Sequence, residues 1–184
     1  MVDRNLGHYV VVTVIVVNKD GKYLVVKRAD WEKNFAGWWT VPGGKLEVLD
    51  YVLREKDTPD CWYNVFDDVV KREVREEVGL EVENVGYVTN LAYLRKDGIP
   101  CLCVSLYASA KSDNVRLCNA LTEFAWVSSE EAKVYDLIGG IHEELVMLDK
   151  KLKSGEEVGW KGKAEEEEKF VSDSVLKKDW SNGV

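Results

Sequence analysis

Residues Tyr9–Val17 read YVVVTVIVV, a run dominated by valine. Branching at Cβ restricts these side chains in a helix and suits them to a pleated surface. Nine residues fall far short of the roughly 20 that a helix needs to cross a bilayer. The run therefore predicts a buried strand, and the rest of the chain must supply its neighbours.

Those neighbours are legible downstream. Asn18-Lys19-Asp20-Gly21 has turn composition, and residues 22–28 return as a second strand. Residues 30–37 read as loop. Residues 38–41 form a short apolar strand ending at Pro42-Gly43-Gly44, which predicts tight backbone. Residues 48–61 show no period and include Pro59, so they read as loop. Residues 64–78 give the clearest helix. Asn64 stands at the N-cap, Asp67 and Asp68 in the first turn, and Gly79 past the end. Phe66, Val70, Val74 and Val78 form its apolar stripe. Val82–Leu94 and residues 99–110 read as two strands joined by a hairpin at Arg95-Lys96-Asp97-Gly98. A short strand follows at 124–127, then a brief helix capped by Ser128 or Ser129 and reaching Tyr135. A final helix spans 139–152 with Ile141, Leu145, Leu148 and Leu152 at helical spacing. Strands mixed with two or three helices give one domain of the α/β or α+β class. We place it at residues 1–153, with a polar appendage at 154–184 in which Trp160, Phe170 and Trp180 accompany an acid run at 165–168.

Charge and composition narrow the partners. The 184 residues include 33 acids and 25 bases, a net charge of −8. A surface that grips polymeric nucleic acid needs a basic face, so no such partner is expected. A phosphate-bearing small molecule stays compatible if carboxylates hold a divalent cation that reverses the local charge. Residues 1–8 lack the basic start, apolar stretch and cleavage site of a secretory signal, so we expect a cytoplasmic protein without membrane contact. Cys61, Cys101, Cys103 and Cys118 form no Cys-x-x-Cys pair, and only His8 and His142 could join them on zinc. They read as reduced core thiols.

The chemistry concentrates in Arg72-Glu73-Val74-Arg75-Glu76-Glu77-Val78-Gly79-Leu80. At about 100° per residue, Glu73, Glu76 and Glu77 share one helix face. Three crowded carboxylates repel one another, and a hard cation such as Mg²⁺ relieves that. A solvated face paired with Arg72 and Arg75 is the plainer alternative. Upstream, Gly43-Gly44 lets bare backbone approach a ligand.

Together these pieces resemble the box of the Nudix hydrolases: Gly, five residues, Glu, seven residues, then Arg-Glu-apolar-x-Glu-Glu-x-Gly-apolar. Arg72 through Leu80 match the second half throughout, Gly44 matches the opening glycine, and Trp38-Trp39-Thr40-Val41-Pro42-Gly43 is similar to the family's approach to it. The element order over residues 8–152 also resembles the Nudix α/β/α sandwich with its mixed sheet. One departure stands out. The acid six positions after Gly44 is Asp50, and Arg72 follows it by 22 residues where the box has eight, so fourteen residues are extra. Counted back from Arg72 without a gap, the acid position falls on Asn64. The box Glu is thus either replaced by Asp50 or lost, and the insertion at about 48–61 is either a lid or substrate rim or a tolerated surface loop.

The resemblance implies a hydrolase of nucleoside diphosphates linked to another moiety. It implies Glu73, Glu76 and Glu77, with a carbonyl of Gly43 or Gly44, as ligands of Mg²⁺ or Mn²⁺. Arg72 would orient the glutamates, Glu73 or Glu76 would serve as general base, and Gly44 and Lys45 would lie near the phosphates. Glu123 is a further base candidate or a plain surface acid. Trp31, Phe35, Trp38, Trp39, Trp62, Tyr63 and Tyr93 offer faces for stacking a base, although most are expected in the core. A compact domain favours a small nucleotide such as a (d)NTP, releasing pyrophosphate. The alternatives are a nucleoside diphosphate sugar such as ADP-ribose, a Nudix-fold module that binds nucleotide without turnover, and a structural domain whose acidic helix faces solvent. A homodimer is compatible with the family.

Overall fold

The valine run forms β1 (Tyr9–Val17), which lies inside a seven-stranded sheet. The computed structural model describes residues 7–95 and 97–155. The appendage expected at 154–184, with Trp160, Phe170, Trp180 and its acid run, lies outside the described residues beyond Gly155. The main path of the sheet runs β3 (Trp39–Thr40), β2 (Tyr23–Arg28), β1, β6 (Pro100–Ala110) and β5 (Val82–Leu94). β4 (Gly43–Lys45) also pairs with β1, and β7 (Leu121–Val127) pairs with β2. β1 and β6 run parallel from Tyr9↔Cys101 to Val17↔Ser109. The other ladders are antiparallel, so the sheet is mixed.

Two helices cover the sheet, α1 (Val65–Val78) on one face and α2 (Ile141–Ser154) on the other. Val12, Val14 and Val16 of β1 pack with Leu24, Val26, Val104 and Leu106 against Val69, Val70, Val74 and Val78 of α1. Ile15 packs with Tyr23, Val25 and Val127 against Leu145 and Leu148 of α2. Burial on both faces is why β1 lacks the apolar–polar alternation of a half-exposed strand. Each fully buried aliphatic side chain contributes about 1.5–3 kcal/mol relative to exposure. This is an α/β protein with a three-layer α/β/α architecture, as the element order predicted.

Several local expectations are revised. Pro42-Gly43-Gly44 is not a free turn. Gly43–Lys45 is a strand, in register with β1 at Val11↔Lys45, Val12↔Gly44 and Thr13↔Gly43. The glycines permit this approach, because a Cβ on Gly43 would stand 2.4 Å from the Val12 carbonyl oxygen. Asn64 precedes α1 but makes no side-chain cap; it is left-handed (φ 53°), a conformation Asn tolerates better than most residues. Its backbone carbonyl accepts the Asp67 amide at 3.0 Å instead. Cys101 and Cys103 are core thiols, whereas Cys61 is exposed. Leu152 ends the α2 stripe outside the core. The N-cap of the short 3₁₀ turn Glu131–Val134 is Glu130 rather than Ser128 or Ser129, although the Ser128 Oγ accepts the Glu131 amide at 3.2 Å.

Candidate active site

α1 carries the site because its two faces have different tasks. Val70, Val74 and Val78 lock it to the sheet, which leaves Arg72, Glu73, Glu76 and Glu77 on the flanks. Its C-terminal end is held as well. Gly79 is left-handed (φ 66°), and its amide returns to the Arg75 carbonyl at 3.1 Å. The open carbonyls of Glu77 and Val78 accept the amides of Cys118 (2.9 Å) and Arg116 (2.8 Å). The turn bearing Glu76 and Glu77 is therefore fixed at both edges.

Arg72 is the hub. Its Nη1 donates to Glu73 Oε1 (2.7 Å) and to Glu76 Oε2 (3.2 Å). Its Nη2 donates to the Lys45 carbonyl (3.1 Å) and to Asp50 Oδ2 (3.2 Å), and its Nε donates to Asp50 Oδ1. Of the two alternatives for the box acid, replacement by Asp50 or loss, the contact of Asp50 with Arg72 favours replacement. The Asp50 side chain is 1% exposed, and its Oδ2 also accepts the Glu47 amide at 2.7 Å. Burial works against its charge, but the Arg72 and Glu47 hydrogen bonds outweigh it and hold its pKa below the ordinary carboxylate value. The forked contact is one that a guanidinium makes and an ammonium cannot. The same carboxylate contacts raise the Arg72 pKa further.

Glu73 and Glu77 bracket the glycine strand. A Cβ on Gly44 would fall 1.8 Å from Glu73 Oε1, so Gly44 is the space in which that carboxylate lies. Glu77 Oε2 accepts the Gly43 amide at 3.0 Å. Burial raises the Glu73 pKa, with Arg72 opposing. Burial pushes Glu77 up to about 7, against the Gly43 amide, while nearby Glu73 pushes it further. Arg28 and Glu32, paired at 2.8 Å, also act on Glu77 with opposite signs. Sequence reasoning missed both, for nothing in their spacing ties the end of β2 to a helix fifty residues on. Glu76 is the outermost of the three, its side chain 60% exposed.

Other expected site residues stand apart. Lys45 lies two residues from Gly43, and alternate strand residues share a face, so its side chain opposes the one Gly44 turns to Glu73. Its Nζ sits 5.5 Å above the Tyr9 ring. Glu123 lies within β7 rather than ahead of it, exposed and paired with Lys27 at 2.7 Å. The aromatic expectation is reversed: Trp31, Phe35, Trp38, Tyr63 and Tyr93 are exposed, whereas Trp39 packs on Tyr135 at 4.6 Å and Trp62 on Tyr51 at 5.3 Å. A cavity of about 390 Å³ opens beside β3, its lining including Trp38, Tyr135, Asp136, His142 and Glu143.

Among the described residues no three acidic, imidazole or thiol side chains already converge as a metal cage. Glu73 and Glu76 turn to Arg72, and Glu77 to Gly43. The donor chemistry nonetheless fits a hard divalent cation. The available groups are carboxylate and carbonyl oxygens, two of the acids have raised pKa values, and the side-chain-free strand leaves room beside them. No described helix is long and apolar enough to cross a membrane.

Comparison with known proteins agrees with this architecture. The NUDIX domain family matches residues 7–148. A MutT-like protein of Streptomyces ambofaciens is 30% identical over 125 residues, covering 67% of this chain and 66% of that protein. A nucleoside triphosphatase NudI of Salmonella agona (strain SL483) is 24% identical over 132 residues, covering 66% of this chain and 84% of that one. Among solved structures, a MutT NUDIX hydrolase of Burkholderia pseudomallei superposes with a TM-score of 0.60 at 21% identity, covering 77% of this chain and 98% of that one. The NUDIX domain of Shewanella oneidensis NrtR, solved with ADP ribose, has a TM-score of 0.59 at 14% identity, covering 79% and 89%. At such identities the structures speak for the fold alone. The family match spans most of the chain, and the chain belongs to the Nudix family of pyrophosphohydrolases.

Proposed function

We propose that the protein hydrolyses a nucleoside diphosphate derivative, most specifically a (d)NTP, to the nucleoside monophosphate and pyrophosphate. The observation that carries this reading is the assembly of Arg72, Glu73, Glu76 and Glu77 around the Gly43-Gly44 strand despite fourteen extra residues in the box. The triphosphate substrate is favoured because a NudI relative bears the name nucleoside triphosphatase.

In this reading Glu73, Glu76 and Glu77, with a carbonyl of Gly43 or Gly44, would hold Mg²⁺ or Mn²⁺. When bound, such an ion would supply charge neutralisation at the diphosphate oxygens and would make water easier to deprotonate. The chain's own residues do the rest. Arg72 keeps Glu73 and Glu76 aimed, and Asp50 stands in for the box Glu by holding Arg72. Glu73 or Glu76 takes the proton of the attacking water as it displaces in line at phosphorus. Gly44 keeps the phosphate approach free of side chains. Lys45 would meet a phosphate only by swinging off Tyr9. The cavity beside Trp38 lies within the size range of small-molecule sites, and Trp38 begins the segment that leads to Gly43, so we assign it the nucleoside end.

The test is hydrolysis by the purified chain, with Mg²⁺, of a panel of (d)NTPs, ADP-ribose and dinucleoside polyphosphates, with products identified. Pyrophosphate and a nucleoside monophosphate are expected. AMP with ribose 5-phosphate would move the assignment to nucleoside diphosphate sugars. Tight nucleotide binding with no cleavage, unchanged in Glu77→Gln, would leave a binding module.

A further inference from the structure

The fourteen extra residues carry a hydrogen-bond network of their own. They are closed on themselves around Arg54. Its Nη1 donates to Asp57 Oδ2 at 2.7 Å, and its Nη2 donates to the Tyr63 carbonyl. Its own carbonyl accepts the Trp62 indole N–H at 3.1 Å. Asp57 accepts the Tyr63 amide at 2.9 Å with the oxygen that meets Arg54. The rings of Tyr51 and Trp62 close the loop from the other side, 5.3 Å apart. A segment so saturated has a defined shape although only Val48–Asp50 is regular.

That shape meets α1 at two points. Arg54 Nε donates to Asp68 Oδ2 at 3.1 Å, and Asp50 accepts both Nε and Nη2 of Arg72. Asp68 and Arg72 are four residues apart, hence neighbours on one helix face. The charge order is crossed: base on acid at the first point, acid on base at the second. The loop therefore cannot shift by one helical turn without placing like charges together. Exposed ion pairs taken singly contribute little. Arg54 differs because its guanidinium is fixed by three acceptors at once, and the Asp50 end is buried.

We infer that the insertion is a two-point clamp on α1 and that Arg54 is a positioning residue. It holds the loop so that Asp50 fixes Arg72, and Arg72 in turn fixes Glu73 and Glu76. This rests on the assignment of those glutamates as metal ligands. Deleting a residue that orients a ligand through another group typically costs 10–100-fold, and Arg54 acts one link further out, so about tenfold is expected.

The experiment measures Mn²⁺ affinity by electron paramagnetic resonance, kcat and KM with Mg²⁺, and metal-free Tm for Arg54→Ala, Arg54→Lys and Asp68→Asn. Arg54→Ala should lower Mn²⁺ affinity and kcat together by about tenfold with KM nearly unchanged, and Arg54→Lys should recover part of the loss. Asp68→Asn leaves the Asp57 and Tyr63 contacts in place and cuts only the link to the helix. It should move Mn²⁺ affinity in the same direction by a smaller factor, which keeps the inference testable if Arg54→Ala does not fold. Lowered Tm with wild-type Mn²⁺ affinity and kcat in these variants would overturn the clamp and leave a structural loop. If the wild-type chain cleaves no nucleotide yet binds Mn²⁺, and Arg54→Ala weakens that binding, the hydrolase reading fails and the clamp stands.

Discussion

Glu77 and Glu144 are carboxylates withdrawn from water on the two helices that cover opposite faces of one sheet. Among the described residues each carboxylate has one hydrogen-bond donor, the Gly43 amide at 3.0 Å for Glu77 and the Ser105 hydroxyl at 2.7 Å for Glu144. Burial raises the pKa of both. Their surroundings differ. Glu77 feels Glu73, Arg28 and Glu32 and accepts the amide of Gly43, the first of two glycines in β4. Glu144 is 4% exposed and set among apolar residues with Ser105, its other charged influence being neighbouring Glu143 on the same helix. Burial and a raised pKa alone do not mark a site. A site is marked when the acid belongs to a network of charges that faces open backbone.

The sharpest way to break this comparison is to neutralise each acid in turn. Glu77→Gln keeps shape and removes charge, so hydrolysis should fall by more than about a hundredfold, beyond the usual effect of a residue that only orients a ligand. Its Tm without metal should hold or rise, because a carboxylate strained by burial has been removed. Glu144→Gln should leave kcat and KM where they are. Equal loss of activity in both variants, by steady-state assay with Mg²⁺, would mean that the distinction drawn between the two faces is wrong.

The two glycines of β4 extend the contrast from charge to space. Gly44→Ala sets a methyl on the Glu73 carboxylate, at 1.8 Å from Oε1. That carboxylate is the end of a side chain and can yield, so the fold should survive while activity falls by about 10–100-fold. Gly43→Ala sets a methyl 2.4 Å from the Val12 carbonyl oxygen and 2.9 Å from Thr13 Cα. Backbone cannot yield so cheaply, and overpacking of this kind costs about 1–3 kcal/mol. Thermal melts beside kinetics separate the two. A Gly44→Ala protein that melts early but turns over normally would reverse the assignment.

These contrasts also show what the sequence could carry. The buried strand at Tyr9–Val17, the stripe of Val70, Val74 and Val78 and the carboxylate face of α1 all follow from periodicity, which is local. The strand character of Gly43–Lys45 was hidden because glycine has little strand preference; its pairing depends on β1, thirty residues away. Whether Asp50 replaces the box acid or that acid is lost stayed open, since fourteen inserted residues erase spacing as a guide; the contact of Asp50 with Arg72 lies across the loop closed around Arg54. Arg28 and Glu32 carry no motif at all. The exposed aromatics escaped for another reason. Trp31 and Phe35 lie in a loop, where composition says nothing of which way a ring turns.

The smallest effect is the most diagnostic for α2. Below the ordinary carboxyl pKa of 4.5, Glu144 is protonated both folded and unfolded, and Glu144→Gln should melt with the wild type. As pH rises, the unfolded chain loses its proton first, because burial, opposed by Ser105, lifts the folded value above 4.5. Stability relative to the variant is therefore lost as pH climbs through the folded pKa. Above that folded pKa the wild type holds a buried charge with, among the described residues, the Ser105 hydroxyl as its side-chain donor, whereas a Gln oxygen accepts the same Ser105 bond without charge. The variant should then be more stable by on the order of 1 kcal/mol, or about 2–4 °C in Tm for a chain of this size. Melts from pH 4 to 8 decide it. A difference that stays flat with pH, or a variant that melts lower at pH 7, would show that the Glu144 carboxylate is held by more than Ser105.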